Sequence, residues 1–285
     1  MPVLSYLLCF ILLFSPVAQS TETKTHFLID LDSQQILVSS QSNNNVILPS
    51  FLEKNLKEMM PSHLTQTDQT IATTQDLLKL ISRIPIEQWQ ARETTHVNSD
   101  LLRLTSKTER DILTSETTKI ISHQNKDNRW SGIYFSQNPL FNGTKRSLLV
   151  ILVNYSHELD LLKQSALLIE KGHWNFSLHT ILRKGQFIGQ APVFKGSHSH
   201  VRFVIHDDIK VTLPNQVDLS SLAINLMHSS PLIAPIETHT ALGHLTVRLG
   251  DKELATSPFF AEVPIETGNF LHRLCDTIRL VIFPH

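Results

Sequence analysis

The most restrictive feature of this 285-residue sequence is the position of its glycines. There are nine of them, and because the first is Gly132, the first 131 residues contain none. Walker-type phosphate loops and GxGxxG dinucleotide turns need glycines, since their backbone adopts positive φ and approaches the ligand closely. The N-terminal part therefore carries no nucleotide site of these kinds. A formal net charge of -1, without a basic stripe, also argues against nucleic acid as a partner.

The N-terminus has the pattern of an export signal. Residues 3–17 are uncharged and rich in Leu, Phe and Ile, and the small residues Ala18 and Ser20 suit a cleavage site. We expect a signal peptide over residues 1–20 and an exported mature chain. Because no Lys or Arg precedes Lys24, an uncleaved N-terminal anchor is the alternative. Cleavage would leave Cys275 without a partner for an internal disulfide.

Hydrophobic patterning divides the remaining chain into an α/β region and an all-β region. The alternation from His26 to Val38 predicts a β-hairpin. Residues 86–129 are polar and predict only short helices or loops, whereas the short alternating segments from Ser177 to Glu262 predict a small all-β domain. Further predictions are a helix beginning at Ser50 and another beginning at Thr73, with Asp76 completing a capping box. Strands are predicted over Gly132–Ser136 and Ser147–Asn154, the second apolar enough to be central in a sheet, and a helix over Glu158–Lys171 that Gly172 caps.

Several segments, in this order, resemble the serine D-alanyl-D-alanine carboxypeptidases, the low-molecular-mass penicillin-binding proteins of bacterial cell walls. The resemblance implies a shortened α/β (α+β) domain of the penicillin-binding-protein and β-lactamase type. A small, sandwich-like β domain and a C-terminal amphipathic helix would follow. The segments that carry the resemblance are residues 27–54, 71–85, 146–154, 161–176, 181–189, 231–265 and 270–274.

The resemblance also implies an active-site helix on which a lysine follows the nucleophilic serine by three residues. The family helix begins Pro-Ala-Ser-Leu-Thr-Lys, and the matching residues 49–54 are Pro-Ser-Phe-Leu-Glu-Lys. Lys54 matches the base, but Phe51 stands at the nucleophile position, and a phenyl ring cannot attack a carbonyl. We therefore expect no intact catalytic residues, with Lys54 and Ser50 as remnants. Since Ser50 and Lys54 are four residues apart on a helix, a displaced Ser50/Lys54 site is the alternative.

The two other motifs that the resemblance implies are a Ser-x-Asn and a Lys-Thr/Ser-Gly strand. Ser42-Asn43-Asn44 and Ser136-Gln137-Asn138 fit the first pattern, but the first precedes the helix and the second falls on a predicted strand. No Lys-Thr/Ser-Gly tripeptide occurs. The segment Asn142-Gly143-Thr144-Lys145 has the right residues in the wrong order and predicts a hairpin turn. We interpret these matches as chance.

Fifteen histidines suggest a metal site, with His198 and His200 on one strand face as the best pair. A zinc site needs three or four ligands fixed together, and no HExxH or cysteine cluster occurs. We favour solvated surface histidines and expect neither a metal nor a cofactor.

The C-terminal segment predicts an amphipathic helix that associates with a membrane surface. Arg273 and Arg279 lie beside its apolar face, and docking on the protein's own core is the alternative. The apolar residues that would enter the membrane are Phe270, Leu271, Leu274, Ile278 and Ile282.

Together these features predict a signal peptide (1–20), a truncated carboxypeptidase-like domain (21–175), a β domain (176–265) and a membrane-associating helix (266–285). We expect an exported, periplasmic protein at the inner membrane, without carboxypeptidase activity, that binds or scaffolds at peptidoglycan or its peptide stems. One alternative is a working carboxypeptidase that uses Ser50 and Lys54. The other is a module that binds an envelope protein through the β domain.

Overall fold

The computed structural model describes residues 24–40, 48–60, 71, 73–92, 99–115, 118–137 and 146–268. An α/β domain comes first and an all-β domain second, as the sequence predicts. The first domain contains β1 (Thr25–Asp30), β2 (Gln35–Ser39), α1 (Ser50–Glu58), α2 (Thr74–Ser82), α3 (Ile86–Ala91), α4 (Ser99–Arg103), α5 (Lys107–Leu113), β3 (Thr118–Gln124), β4 (Trp130–Gln137), β5 (Ser147–Tyr155) and α6 (Glu158–Asn175).

A five-stranded antiparallel sheet in the order β2-β1-β5-β4-β3 forms the centre of the first domain. The central strand β5 buries Leu148–Val153 on both faces, which explains its unbroken apolar sequence. One face packs against α1 and α2 through Leu52, Leu56 and Leu77, and the other packs against α5 and α6. The edge strand β3 was not foreseen within the polar 86–129 stretch.

Helix α2 begins as its sequence predicts. Thr73 is the N-cap, and its side chain accepts a hydrogen bond from the Asp76 N–H, while the Asp76 carboxylate accepts one from the Thr73 N–H. This reciprocal capping box fixes the first turn. Helix α2 ends at Ser82, and Pro85 then opens α3.

The prediction that Gly172 caps α6 is wrong, because the helix continues through Gly172 to Asn175. Gly172 lies where α6 crosses the sheet. A Cβ at this position would stand 2.7 Å from the Cδ1 of Leu148 and 3.2 Å from the Cδ2 of Leu28. The missing side chain thus serves close helix-to-sheet packing rather than helix termination.

The second domain is a two-layer β structure with one core. A two-stranded sheet, β6-β9, packs against a six-stranded sheet in the order β10-β12-β13-β8-β7-β11. The long strand β13 pairs with β12 over most of its length and with β8 at its end. The strands are β6 (Phe176–Leu182), β7 (Phe187–Phe194), β8 (His200–Val204), β9 (Ile209–Pro214), β10 (Leu222–His228), β11 (Leu232–Ile233), β12 (Gly243–Leu249) and β13 (Lys252–Ala261).

The expected signal peptide and most of the expected C-terminal helix, with Phe270, Leu271, Leu274, Ile278 and Ile282, lie outside the described residues. Within the described part of the chain, no helix combines the length and apolar character needed to span a bilayer.

Candidate functional site

The candidate site lies at the start of α1, beside the end of the edge strand β3. Pro49 precedes the first helical residue and is extended, with φ -57° and ψ 143°, so the chain turns sharply into the helix. Leu52 and Leu56 are fully buried and hold α1 on the sheet. The helix therefore presents residues 50, 51 and 54 at or near its surface.

Phe51 is half-buried, and its ring packs against the ring of His123. The two ring centroids are 4.6 Å apart with an interplanar angle of 31°. His123 is the penultimate residue of β3, and it is exposed. An aromatic contact therefore occupies the space between the start of α1 and the end of β3. Neither ring offers a hydroxyl or thiol that could become an acylated nucleophile.

Ser50 and Lys54 lie on the outer, solvent-facing side of α1, where they line one shallow depression with three further charged residues of the helix, Glu53, Lys57 and Glu58. The Nζ of Lys54 faces the Glu58 carboxylate at 3.7 Å. Within the described residues, no hydrogen bond joins Ser50 to Lys54. Ion pairs this exposed contribute little to stability, because solvent screens them.

The strand that precedes the Gly132 strand is β3, where the resemblance calls for Lys-Thr/Ser-Gly. Its sequence is Thr-Lys-Ile-Ile-Ser-His-Gln. Lys119 opens the triplet Lys119-Ile120-Ile121, but both isoleucines are core residues. Asn142-Gly143-Thr144-Lys145 lies outside the described residues.

Neither Ser-x-Asn match is placed beside α1 by the described structure. Ser42-Asn43-Asn44 is outside the described residues, as is Asn138 of the second match. Ser136 is fully buried in β4 between Thr118 and Leu148 of the flanking strands. Since side chains alternate along a strand, Ser136 shares a face with Tyr134, which packs towards α6 and away from α1.

The prediction that His198 and His200 share a strand face is wrong, because β8 begins at His200 and His198 lies in the turn before it. His198 and His200 each contact the hydroxyl of the preceding serine through Nδ1, at 3.2 Å and 3.1 Å. In the part of the chain that the structure describes, no three His, Cys, Asp or Glu side chains are grouped to hold a metal ion.

Comparison with known proteins identifies related sequences and a related fold. Residues 176–267 match the sequence profile of the penicillin-binding protein 5 C-terminal domain. The chain is 25% identical over 118 residues to D-alanyl-D-alanine carboxypeptidase DacA of Escherichia coli K12. That match covers 41% of this chain and only 29% of DacA. The fold is similar to that of penicillin-binding protein 5 from Haemophilus influenzae, with a TM-score of 0.52 and 13% identity over 85% of this chain and 97% of that chain.

Residues 176–267 therefore form a penicillin-binding protein 5 C-terminal domain, and the chain as a whole is similar to low-molecular-mass penicillin-binding proteins in sequence and fold. In this fold the start of α1, where the resemblance places the reacting serine, lies against the end of β3. The sequence alone located Phe51, Ser50 and Lys54 on α1 but missed the contact between Phe51 and His123. No local pattern marks that contact, because the two residues are far apart in the chain and meet only when β3 joins the sheet.

Proposed function

We propose that this protein is a non-catalytic member of the low-molecular-mass penicillin-binding protein family that acts in the bacterial cell envelope by binding or scaffolding at peptidoglycan. The observation that supports the proposal is the packing of the Phe51 ring on His123, at the position where the resemblance places the nucleophile. An acyl-enzyme mechanism needs a hydroxyl there, with a base within hydrogen-bond reach. Lys54 instead faces Glu58 on the open side of the helix.

The proposed location of the protein follows from the expected export signal at the N-terminus and the expected amphipathic helix at the C-terminus. A signal peptide over residues 1–20 would deliver the chain to the periplasm. Reversible attachment to the inner membrane would then come from the apolar face of residues 266–285. Deleting residues 270–285 is expected to release the protein from membranes into the soluble fraction. Retention of the deleted form would contradict this attachment and point to an uncleaved N-terminus or a protein partner.

Labelling with a fluorescent penicillin tests the loss of catalysis directly. We expect no covalent label on the full chain under conditions in which a working D-alanyl-D-alanine carboxypeptidase is labelled. The Ser50→Ala variant should behave like the unmodified chain. Label that appears on the unmodified chain and disappears in Ser50→Ala would overturn the proposal and establish the displaced Ser50/Lys54 site. The displaced-site alternative rests on one observation, that Ser50 and Lys54 line the same depression on α1.

Restoring the hydroxyl provides a second test. The Phe51→Ser variant is expected to stay unlabelled, because neither a Ser-x-Asn beside α1 nor a Lys-Thr/Ser-Gly strand accompanies it in the described structure. A labelled Phe51→Ser variant would show that the groove retains acylation chemistry. Loss of the nucleophile alone typically costs a hydrolase about 10⁶ in rate, so a recovery would be easily measured.

Co-sedimentation with purified peptidoglycan separates the binding role from a protein-interaction module. We expect the full chain to sediment with peptidoglycan. The alternative, a module that binds an envelope protein, is favoured by edge strand β10, where Ile224 and Met227 are 45% and 71% exposed. If the chain fails to sediment with peptidoglycan, the binding role is refuted. A doubly substituted Ile224→Lys, Met227→Lys variant that still sediments would show that β10 is not involved.

A further inference from the structure

A buried ion pair lies where the two domains meet, and the proposed function does not use it. Arg146 immediately precedes β5, Asp30 ends β1, and the Nε of Arg146 stands 2.6 Å from the Oδ2 of Asp30. The two side chains are 7% and 0% exposed. Such pairs add little net stability, because removing both charges from water offsets their attraction. We propose that this pair, together with Thr212 of β9, forms an interdomain lock that fixes the orientation of the β domain.

The carboxylate of Asp30 is satisfied on both oxygens. Its Oδ1 accepts hydrogen bonds from the N–H groups of Asp32 and Ser33, at 2.9 Å and 3.1 Å, which shape the β1–β2 turn. Its Oδ2 accepts from Arg146 and from the Thr212 hydroxyl, the latter at 2.8 Å. One carboxylate therefore joins the hairpin turn and β5 of the first domain to β9 of the second.

Thr212 is the residue through which the β domain makes this contact. It is 4% exposed and binds three side chains of the β1–β2 hairpin. Besides donating to Asp30, its hydroxyl lies 2.8 Å from the hydroxyl of Ser33, and its N–H donates to the Oε1 of Gln35. A hydrogen bond weakens steeply when its distance or angle changes. These contacts therefore form together in one relative orientation of the domains.

Arg146 extends the network to the point where the chain passes from one domain to the next. Its Nη1 donates to the carbonyl of Gly172, at 2.9 Å, and to that of Phe176, at 2.8 Å. Gly172 lies in the last turn of α6, whose free carbonyls favour a cation, and Phe176 is the first residue of β6. Because α6 ends at Asn175, no loop separates the two elements. One guanidinium thus holds both sides of the connection.

The lock governs the orientation of the two domains rather than their stability alone, so the distance between the domains is the quantity to measure. Domains joined by a single connection usually move relative to one another unless their interface is large and apolar. Spin labels at Lys79→Cys and Lys252→Cys, exposed positions in the two domains, report that motion by electron-electron double resonance. The full chain would carry these labels with Cys9 and Cys275 replaced by serine.

The Thr212→Val variant removes the hydroxyl but keeps the shape and strand preference of the side chain. We expect the interdomain distance distribution to broaden, and the amide at position 212 to exchange its hydrogen about tenfold faster, which corresponds to about 1.4 kcal/mol. The matched control is Thr246→Val on β12, away from the junction, which should change neither quantity. Far-UV circular dichroism should show that both variants are folded.

An unchanged distance distribution and exchange rate in Thr212→Val would overturn the lock. If Thr212→Val does not fold, the same measurement is made on Ser33→Ala, which removes a single contact to the same hydroxyl. The distance distribution is expected to broaden in that variant too. Equal broadening in Thr246→Val would also refute the proposal, because the effect would then not be specific to the junction.

Discussion

His173 should make the stability of this protein fall as the solution is acidified. It lies in the last turn of α6, is only 4% exposed and stands beside the junction. Burial, and to a lesser extent the positive charge of Arg146, lower the pKa of this imidazole from 6.5 to about 4, against a smaller opposing effect of Asp30. The folded protein therefore holds His173 in its neutral form at neutral pH.

The direction and size of this change in stability follow from proton linkage. Between pH 6.5 and pH 4 the unfolded chain binds a proton at His173 that the folded protein does not, so acidification favours unfolding. This contribution to stability is complete above pH 6.5 and is lost as pH falls towards 4. A shift of one pKa unit is worth about 1.4 kcal/mol, so the lowering of the pKa amounts to about 3 kcal/mol.

Urea unfolding of the full chain and of His173→Gln, at several pH values from 7 to 4, measures this loss. The difference in free energy of unfolding between the two proteins should shift by about 3 kcal/mol over that range, with the unmodified chain losing more on acidification. Asp32 and Glu158, whose pKa values burial raises, are present in both proteins and cancel in the difference. The exposed His200→Gln is the control. Parallel pH profiles for the chain and His173→Gln would refute the reasoning.

Two further predictions concern packing and capping. Gly172→Val should lower the free energy of unfolding by about 1–3 kcal/mol more than Lys171→Val does, because only the first pushes a side chain into Leu148 and Leu28. Equal losses would show that helix propensity alone is responsible. Thr73→Ala should cost about 1 kcal/mol through loss of the capping box of α2, measured by thermal unfolding. The neighbouring exposed Gln75→Ala should cost much less, and a comparable loss there would contradict the capping role.

The elements that the sequence predicted well are those whose signal is local. The capping box at Thr73 needs only four consecutive residues, and the central position of β5 follows from the unbroken apolar run of residues 148–153. The start of α1 at Ser50 follows from the proline before it. Each of these signals acts within a few residues, so nothing elsewhere in the fold had to be known.

The features that the sequence did not predict depend on residues that are distant in the chain. The polar strand β3 exists because it pairs with β4, with Ile120 opposite Tyr134 and Ile121 opposite Ile133. Gly172 was taken for a cap because glycine commonly ends helices, whereas its closeness to Leu148 required the position of the sheet. Arg146 carries no motif, and only the fold brings it to Asp30.

The glycine-free first part of the chain still turns tightly, at a conformational cost that the domain junction offsets. Gln34 in the β1–β2 turn and Asn128 in the β3–β4 turn have φ of 55° and 58°, where glycine is usual. Asn tolerates this left-handed region, but for Gln it costs about 1–2 kcal/mol. Strain of this size persists where the surroundings over-determine the conformation. Asp30 accepts hydrogen bonds from the turn, and Thr212 bonds to Ser33 and Gln35, the residues that flank Gln34. These contacts supply that constraint, so the lock also holds the hairpin in its strained form.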